Sequence, residues 1–221
     1  GIIYDYYDNG PLKSKMAVTD SLYNGMAEYY HNNGNLESEG SLLDGEKNGL
    51  WKYYFEGGEK WKHIEYLNGK LDGVIKTWYA NGELNVEGKY KNNYKEGEWV
   101  WYTKEGTVEM KGSFKESKQH DTWTYYFDNG QVESIGEFAM DQREGEWKMF
   151  YKIGAKWKNG TYHNDKKDGH WQTFFEDGQL LQEGDFSAGK ENGLWSAWYQ
   201  NGQLKDEGTY DKGIMNGSWM G

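Results

Sequence analysis

The sequence repeats every 24 residues along its whole length, and this period limits the possible fold more than any other feature. Steps of 24 from the first residue meet glycine at nine of ten places, with no insertion or deletion. A fixed phase of this kind is typical of repeat proteins, in which each unit packs against its neighbours. We predict one repeat domain over residues 1–221, with nine complete units and a partial tenth. The units start at Gly1, Gly25, Gly49, Gly73, Gly97, Asp121, Gly145, Gly169, Gly193 and, for the partial unit, Gly217.

Other columns of the repeat are equally regular, and we number repeat positions from the starting residue as position 0. Position 2 is tryptophan in seven of ten units, with Ile3, Ala27 and Ile75 in the others. Position 9 is always glycine, position 15 is glycine in seven of nine complete units, and position 17 is always hydrophobic. Position 5 is aromatic in every complete unit: Tyr6, Tyr30, Tyr54, Trp78, Tyr102, Tyr126, Phe150, Phe174 and Trp198.

Each unit is predicted to form a β-hairpin. A short aromatic run leads to a turn pair such as Asn81-Gly82, and a second run returns. Asn-Gly between such runs favours a two-residue type I′ turn, because both central residues need positive φ. Charged segments, such as residues 166–168, then connect the units. The predicted fold class is all-β: an elongated single antiparallel sheet of successive β-hairpins, advancing by roughly 9.6 Å per unit.

A two-residue turn at positions 8 and 9 would fix the register of each hairpin. Position 2 then faces position 15, so that Trp147 lies opposite Gly160 and its indole covers that glycine. Positions 2, 6, 11, 15 and 17 share one face, and position 5 points to the other, beside glutamates at position 14. Either sheet coiling and neighbouring units cover both faces, or the position-5 aromatics form an exposed binding strip.

Composition narrows the function classes. The net charge is −11, which disfavours nucleic acid and anionic membrane surfaces as partners. The chain has no cysteine and no apolar run long enough to span a bilayer. It begins at Gly1 rather than Met, which is expected of a fragment of a longer protein. An open sheet exposes unpaired edge strands, so we expect either flanking sequence in the full protein or edge-to-edge self-association. The lack of cysteine fits the cell envelope or secretion as well as the cytoplasm.

No pattern in the sequence indicates catalysis, a cofactor or a metal. The five histidines fall in different repeat columns without ligand spacing, and acidic pairs such as Asp165 and Asp168 lack the alternation of a calcium loop. An active site also tends to break the symmetry of a repeat, and the symmetry here is nearly intact. We therefore predict that the protein is not an enzyme and has no cofactor. The histidines are His31, His63, His120, His163 and His170.

The repeat resembles a known family. Residues 193–210 read GLWSAWYQNGQLKDEGTY, and similar lines recur along the whole chain. This motif resembles bacterial MORN-repeat proteins, in particular the MORN-variant group described as antitoxin-like. The resemblance implies a MORN-type array of hairpins that acts as a non-enzymatic scaffold and binds a protein partner, in an antitoxin-like or envelope-complex accessory role. Cell-wall repeats that bind choline or glucan also combine Trp, paired Tyr and an Asn-Gly turn, so carbohydrate or cell-wall binding is the alternative.

Two units depart from the consensus in the same way. Lys60 and Lys156 stand where leucine is usual, and Trp61 and Trp157 follow them, 96 residues apart. The register above places both tryptophans on the position-5 face, as aromatic-plus-cation spots suited to a sugar ring or a partner side chain. The alternative is local covariation with no role. The predicted contact strip comprises Tyr54, Trp61, Trp78, Tyr102, Tyr126, Phe150 and Trp157.

Overall fold

The structure, a computed structural model, describes residues 1–220, with side chains described for residues 1–216. It is one antiparallel sheet of 19 strands in successive hairpins, which confirms the predicted all-β class. These residues include no helix that is long and apolar enough to cross a membrane. The strands are β1 (Ile2–Tyr6), β2 (Leu12–Thr19), β3 (Leu22–Tyr30), β4 (Leu36–Leu43), β5 (Glu46–Tyr54), β6 (Lys60–Leu67), β7 (Lys70–Trp78), β8 (Leu84–Lys91), β9 (Tyr94–Tyr102), β10 (Val108–Lys115), β11 (Lys118–Tyr126), β12 (Val132–Ala139), β13 (Gln142–Phe150), β14 (Lys156–His163), β15 (Lys166–Phe174), β16 (Leu180–Ser187), β17 (Lys190–Trp198), β18 (Leu204–Asp211) and β19 (Ile214–Met220).

The strands form two compact units. The first comprises residues 1–108 with 114–117, and the second comprises residues 109–113 with 118–221. Side chains of the partial repeat that starts at Gly217, including Trp219 of the position-2 column, lie outside the described residues. The buried cluster of the first unit is Ala27, Leu42, Trp51, Ile64, Ile75 and Trp99, and that of the second is Trp147, Tyr162 and Trp171.

The turn inside each hairpin differs from the predicted type I′ turn. In the hairpin of β13 and β14, the Tyr151 amide donates to the Ala155 carbonyl at 2.8 Å, and the Gly154 amide donates back to the Tyr151 carbonyl at 2.8 Å. This geometry leaves a three-residue loop closed by a left-handed glycine, Gly154 at φ 88°. No Asn or Asp at position 8 has a positive φ over residues 1–220. The prediction of a two-residue turn at positions 8 and 9 was therefore wrong.

The type I′ geometry occurs instead in the connections between repeat units. Positions 19 and 20 both have positive φ in every connection, as at Asn92 (48°) and Asn93 (70°), and the flanking Lys91 and Tyr94 pair directly. Position 8 has another role, because the Asn81 carboxamide accepts the Glu83 amide at 3.1 Å and donates to the carbonyl of Lys104 in the next repeat at 2.9 Å. The Asn column thus links adjacent hairpins.

A one-residue bulge compensates for the odd-numbered loop. In the same hairpin, Phe150 pairs with Lys156 and Met149 pairs with Lys158, so that Trp157 at position 12 has no partner. Beyond the bulge the register is as predicted, with Trp147 opposite Gly160. Between the turn and the bulge, position 5 pairs with position 11, so position 11 shares the face of position 5. The prediction that position 11 lies on the tryptophan face was wrong, because a slip of one residue exchanges the faces of a strand.

Within residues 1–216, each position-2 indole lies over a glycine of the preceding repeat rather than its own. A Cβ atom on Gly136 would lie 2.2 Å from the indole Cδ2 of Trp147, and the Trp147 Nε1–H donates to the Glu137 carbonyl at 3.1 Å. Trp99 lies over Gly88 in the same way. The prediction that the Trp147 indole packs over Gly160 was therefore wrong. The indole packs over Gly136 of the preceding repeat. The indole column consequently joins one repeat to the next.

We call the face that carries positions 2, 4, 6, 13, 15 and 17 the indole face. In the second unit its position-2 and position-17 rings alternate in edge-to-face contact, as at Phe138–Trp147 (5.2 Å between ring centroids) and Tyr162–Trp171 (5.1 Å). Two cations at position 22 lie over these rings: the Lys167 ammonium is 4.6 Å from the Trp171 ring centroid, and the Arg143 guanidinium is 4.0 Å from that of Tyr162. Burial lowers the pKa of Lys167. The stems of these two cations therefore cover part of the ring column.

We call the opposite face, which carries positions 3, 5, 11 and 14, the phenol face. In the first unit its positions 3 and 14 form cross-strand ion pairs, as between Lys52 and Glu39 (3.2 Å) and between Lys76 and Glu87 (3.1 Å). The hydroxyl groups of Tyr54 and Tyr102, at position 5, donate hydrogen bonds to the glutamates of these ion pairs. The phenol face is therefore polar, with half-buried aromatic rings between its ion pairs.

Candidate partner-binding surface

Two tryptophans stand apart from all others whose side chains the structure describes. Trp61 is 43% exposed and Trp157 is 40% exposed, whereas the position-2 indoles of residues 1–216 are buried. Both occupy the bulge at position 12, where the other repeats carry lysine, glutamate, asparagine or leucine. Because the bulged residue is unpaired, its side chain is free to stand out from the ladder. The bulge thus presents an indole without disturbing the packed column beside it.

Both bulge tryptophans lie on the indole face. The Trp61 ring contacts Tyr53 and Phe55 with ring centroids 6.1 Å apart in each pair, and Tyr53 in turn contacts Trp51. The Trp157 ring lies 6.1 Å from that of Tyr151. The prediction that Trp61 and Trp157 share the face of position 5 was wrong, since the bulge carries position 12 to the other side of the sheet.

The lysines that precede these tryptophans stay on the phenol face. The Lys60 ammonium lies 5.9 Å from the ring centroid of Trp78, and the Lys156 ammonium lies 5.3 Å from that of Phe174. In the predicted aromatic-plus-cation spots, the lysine therefore lies on the phenol face and the tryptophan that follows it lies on the indole face. A different lysine follows each tryptophan, and the Lys158 ammonium lies 4.9 Å from the Trp157 ring centroid.

A groove of about 490 Å³ runs beside Trp157 in the second unit. The Asp128 carboxylate pairs with the Lys152 ammonium at its rim at 2.5 Å. Burial and the charge of Glu176 raise the pKa of Tyr151, which donates its hydroxyl to the Phe174 carbonyl at 2.7 Å. The groove therefore combines an aromatic and thioether floor with a charged rim. Its lining is Phe127, Glu133, Ser134, Met149, Phe150, Tyr151, Lys152, Trp157 and Glu176.

A second groove, of about 400 Å³, lies beside Trp61 in the first unit. Tyr79 is fixed there by its hydroxyl, which donates to the Tyr102 carbonyl at 2.8 Å. Lys104 lies over the Tyr79 ring with its ammonium 6.0 Å from the centroid, and no carboxylate belongs to the lining. This groove is therefore aromatic like the first and opposite in charge. It is lined by Phe55, Trp61, Trp78, Tyr79, Ala80, Asn81, Asn85 and Lys104.

The position-5 tyrosines of the predicted strip are held by carboxylates. The Tyr54 hydroxyl donates to Glu39 at 2.9 Å, and the Tyr102 hydroxyl donates to Glu87 at 2.6 Å. Burial, together with these carboxylates, raises the pKa of Tyr54 and of Tyr102 to about 12. Both rings are half-buried. Their hydroxyl groups are therefore already engaged in the packing of the phenol face.

The structure divides the residues of the predicted contact strip into three groups. Trp61 and Trp78 border the first-unit groove, and Phe150 and Trp157 border the second-unit groove. Tyr54, Tyr102 and Tyr126 border neither groove. The sequence did carry the signal for the grooves, in the two position-12 tryptophans, but not the face on which they lie. The groove residues Tyr151 and Tyr79, at position 6, were missed because their column varies between tyrosine, phenylalanine, histidine and threonine.

The titratable side chains form no recognisable metal centre. Throughout the described residues there is no group of three or more His, Asp or Glu side chains able to hold a metal ion. His170 contacts Asp185 at 2.9 Å and Glu183 at 3.1 Å, and these carboxylates raise its pKa against the opposing effect of burial. His63 packs edge-on against Trp78 with centroids 4.6 Å apart, and burial and nearby lysines lower its pKa.

Comparison with known families identifies the repeat. The model of the MORN repeat variant matches six segments, which together span more than half of the chain. The chain therefore belongs to the MORN repeat variant family. Five of the matched segments run from one type I′ connection to the next, so that each covers one hairpin. The six segments are residues 23–44, 71–92, 95–116, 122–139, 167–188 and 191–212.

Comparison with solved structures adds little to this identification. The chain is similar to part of a TcdB2–TccC3 crystal structure, at 11% identity and a TM-score of 0.23, over 97% of this chain and 15% of that one. It is similar to part of the Photorhabdus luminescens Tc holotoxin pore, at 11% identity and a TM-score of 0.24, over 96% of this chain and 13% of that one. TM-scores this low carry no argument about function. No curated protein matches the chain.

Proposed function

We propose that this MORN repeat protein is a non-enzymatic scaffold that binds a protein partner through the grooves beside Trp61 and Trp157. The observation that supports this is the departure of these two tryptophans from the repeat. All position-2 indoles of residues 1–216 are packed over a glycine or buried among neighbouring rings, whereas the two position-12 indoles are exposed beside grooves. Exposed tryptophans in a partly apolar depression are the usual energetic centres of protein interfaces.

The rest of the molecule suits a scaffold role. The indole column joins each hairpin to the next, so the framework needs no partner to bury its main rings. The grooves depend on that framework, because the position-6 and position-8 side chains that border them bond to carbonyls of the next repeat. A rigid frame lowers the entropy cost of binding. The family resemblance supports an antitoxin-like or envelope-complex accessory role for this scaffold.

Carbohydrate binding is the second candidate function. An exposed indole supplies a flat apolar surface for a sugar ring, and Glu133, Ser134 and Glu176 around Trp157 offer acceptors and a hydroxyl to sugar hydroxyls. The position-5 strip on the phenol face remains a second candidate surface. Its members Tyr54 and Tyr102 test it independently, because they border neither groove.

The test is selection from a phage-displayed library of random peptides, alongside a glycan array. Selected clones are screened against wild type, Trp61→Ser, Trp157→Ser and the double variant Tyr54→Ser/Tyr102→Ser. We expect clones whose binding falls at least about tenfold with Trp61→Ser or Trp157→Ser. Loss only with Tyr54→Ser/Tyr102→Ser would move the site to the phenol face, since neither tyrosine borders a groove. Glycan binding that Trp157→Ser abolishes, with no dependent peptide, would establish the carbohydrate function instead.

A further inference from the structure

We infer that the groove beside Trp157 takes a basic peptide segment, in which a lysine or arginine side chain adjoins an apolar one. This inference rests on the proposed function and specifies the partner for one of its two grooves. Three features of the groove carry it: carboxylates that lack a counter-ion, an exposed indole, and an apolar floor beneath both.

The charge of this groove is unbalanced. Glu133 and Glu176 both belong to its lining, and within residues 1–216 neither carboxylate has an ion-pair partner. The one lysine of the lining, Lys152, is already paired with Asp128. Lys158 touches the Trp157 ring but belongs to a different recess, with Lys167 and Trp171. A cationic ligand group would therefore meet two carboxylates without displacing an existing ion pair.

The floor of the groove suits the rest of such a side chain. Trp157 is exposed for stacking by a guanidinium group or for packing by the methylene stem of a lysine. Phe127, Tyr151 and Met149 add apolar surface nearby, and the flexible thioether of methionine adapts to side chains of different shape. An apolar side chain next to the cation in the ligand would bury itself on these groups.

The groove beside Trp61 provides an internal contrast. It also has an exposed indole and adjacent aromatic rings, but its charged lining residue is Lys104 and it contains no carboxylate. If an exposed tryptophan alone decided the ligand, both grooves would select similar peptides. Charge predicts that they differ, with basic peptides at Trp157 only. The net charge of −11 further favours encounter with basic segments at low ionic strength.

The experiment uses the peptides that bind the full chain and lose binding with Trp157→Ser. We expect lysine and arginine to exceed aspartate and glutamate several-fold in these peptides, relative to the unselected library. Three of them are then synthesised, and their dissociation constants are measured by fluorescence polarisation. Glu133→Gln/Glu176→Gln should weaken binding about tenfold, and binding should weaken further as salt rises.

Glu37→Gln/Glu56→Gln is the matched control, because Glu37 and Glu56 occupy repeat positions 12 and 7, as Glu133 and Glu176 do. The control changes the net charge by the same amount and should leave affinity within about twofold. Peptides that depend on Trp157 but are neutral or acidic would overturn the inference while leaving the proposed function intact. Equal weakening by both charge variants would also overturn it, since a general field would then explain the preference. Absence of any peptide that depends on Trp61 or Trp157 would overturn both proposals.

Discussion

Position 0 of the repeat requires a backbone conformation that most side chains disfavour. From the second repeat to the ninth, the residue there has a positive φ, between 59° at Asp121 and 123° at Gly73. In the ladder of β12 and β13, Gly145 lies in a bulge between the pairs Glu137–Glu144 and Ile135–Lys148. Glycine adopts this conformation without strain, and aspartate is among the few other residues that tolerate it. The glycine column therefore records a backbone requirement rather than a need for space.

Replacement of Asp121 by glycine should stabilise the protein. The change removes the left-handed strain of a residue with a side chain, and the side chain that is lost is largely exposed. We expect a gain of about 0.5–1 kcal/mol in the free energy of unfolding, measured by urea denaturation. The reverse change, Gly145→Asp, should cost a similar amount. A loss of stability in Asp121→Gly would contradict the strain assigned to position 0.

Two tyrosines of the phenol face, Tyr54 and Tyr102, should ionise only at high pH. Burial and the Glu39 and Glu87 carboxylates raise the pKa of Tyr54 and Tyr102 to about 12, above the unfolded value of about 10. A raised pKa in the folded state means that the associated stability is complete below about pH 10 and is lost as the pH rises to about 12. Ultraviolet difference titration should show this late ionisation. Glu39→Gln should lower the pKa of Tyr54, and no change on that substitution would contradict the assignment.

At the scale of the hairpin, positions 15 and 2 of consecutive repeats vary together. Wherever position 15 is glycine, position 2 of the next repeat is tryptophan, from Gly40 and Trp51 to Gly208 and Trp219. The two exceptions change both partners, to Met16 with Ala27 and to Ile64 with Ile75. Ile64 and Ile75 pair directly across the strands, and both are buried. Two medium-sized side chains thus fill the space that otherwise holds one indole over bare backbone.

This pairing predicts a rescue experiment. Gly136→Ile alone should be severely destabilising, because a Cβ atom would lie 2.2 Å from the Trp147 indole. Adding Trp147→Ile reproduces the natural Ile64–Ile75 pair and should recover at least about 1 kcal/mol relative to the single variant. Urea denaturation of both single variants and the double variant gives the coupling energy. Strictly additive effects would show that the two positions do not interlock.

The repeat, its strands and the cross-strand pairs far from the turn were predictable, because 24-residue columns specify them without reference to a turn type. The turn itself was not predictable from Asn-Gly alone. Asn81 makes hydrogen bonds through its side chain and does not adopt a left-handed φ. That single error moved Trp61 and Trp157 to the wrong face. The covariation of positions 15 and 2 was visible in the sequence and would have shown that each indole packs on the preceding repeat.

At the scale of the whole molecule, aromatic residues perform two separate tasks. In the second unit, rings at positions 2 and 17 alternate in edge-to-face contacts, as Trp147 does between Phe138 and Tyr162, and in the first unit Trp51 and Trp99 share the interior with aliphatic side chains. Trp61 and Trp157 lie on the same face but outside that column, at bulges that only two repeats use in this way. The high aromatic content of the chain therefore does not by itself indicate a binding ladder. Function is expected at the two places where the repeat departs from its own pattern.

The most direct test of the separation between packing and binding tryptophans compares two variants, Trp157→Ser and Trp147→Ala. Each is measured by thermal unfolding and by titration with one selected peptide. Trp157→Ser should keep the melting temperature within about 2 °C of wild type and weaken peptide binding at least about tenfold. Trp147→Ala should cost about 3–5 kcal/mol, lower the melting temperature by about 10 °C, and retain peptide binding at temperatures where it is folded. Equal destabilisation by the two changes, or unimpaired binding in Trp157→Ser, would contradict the separation of packing and binding tryptophans.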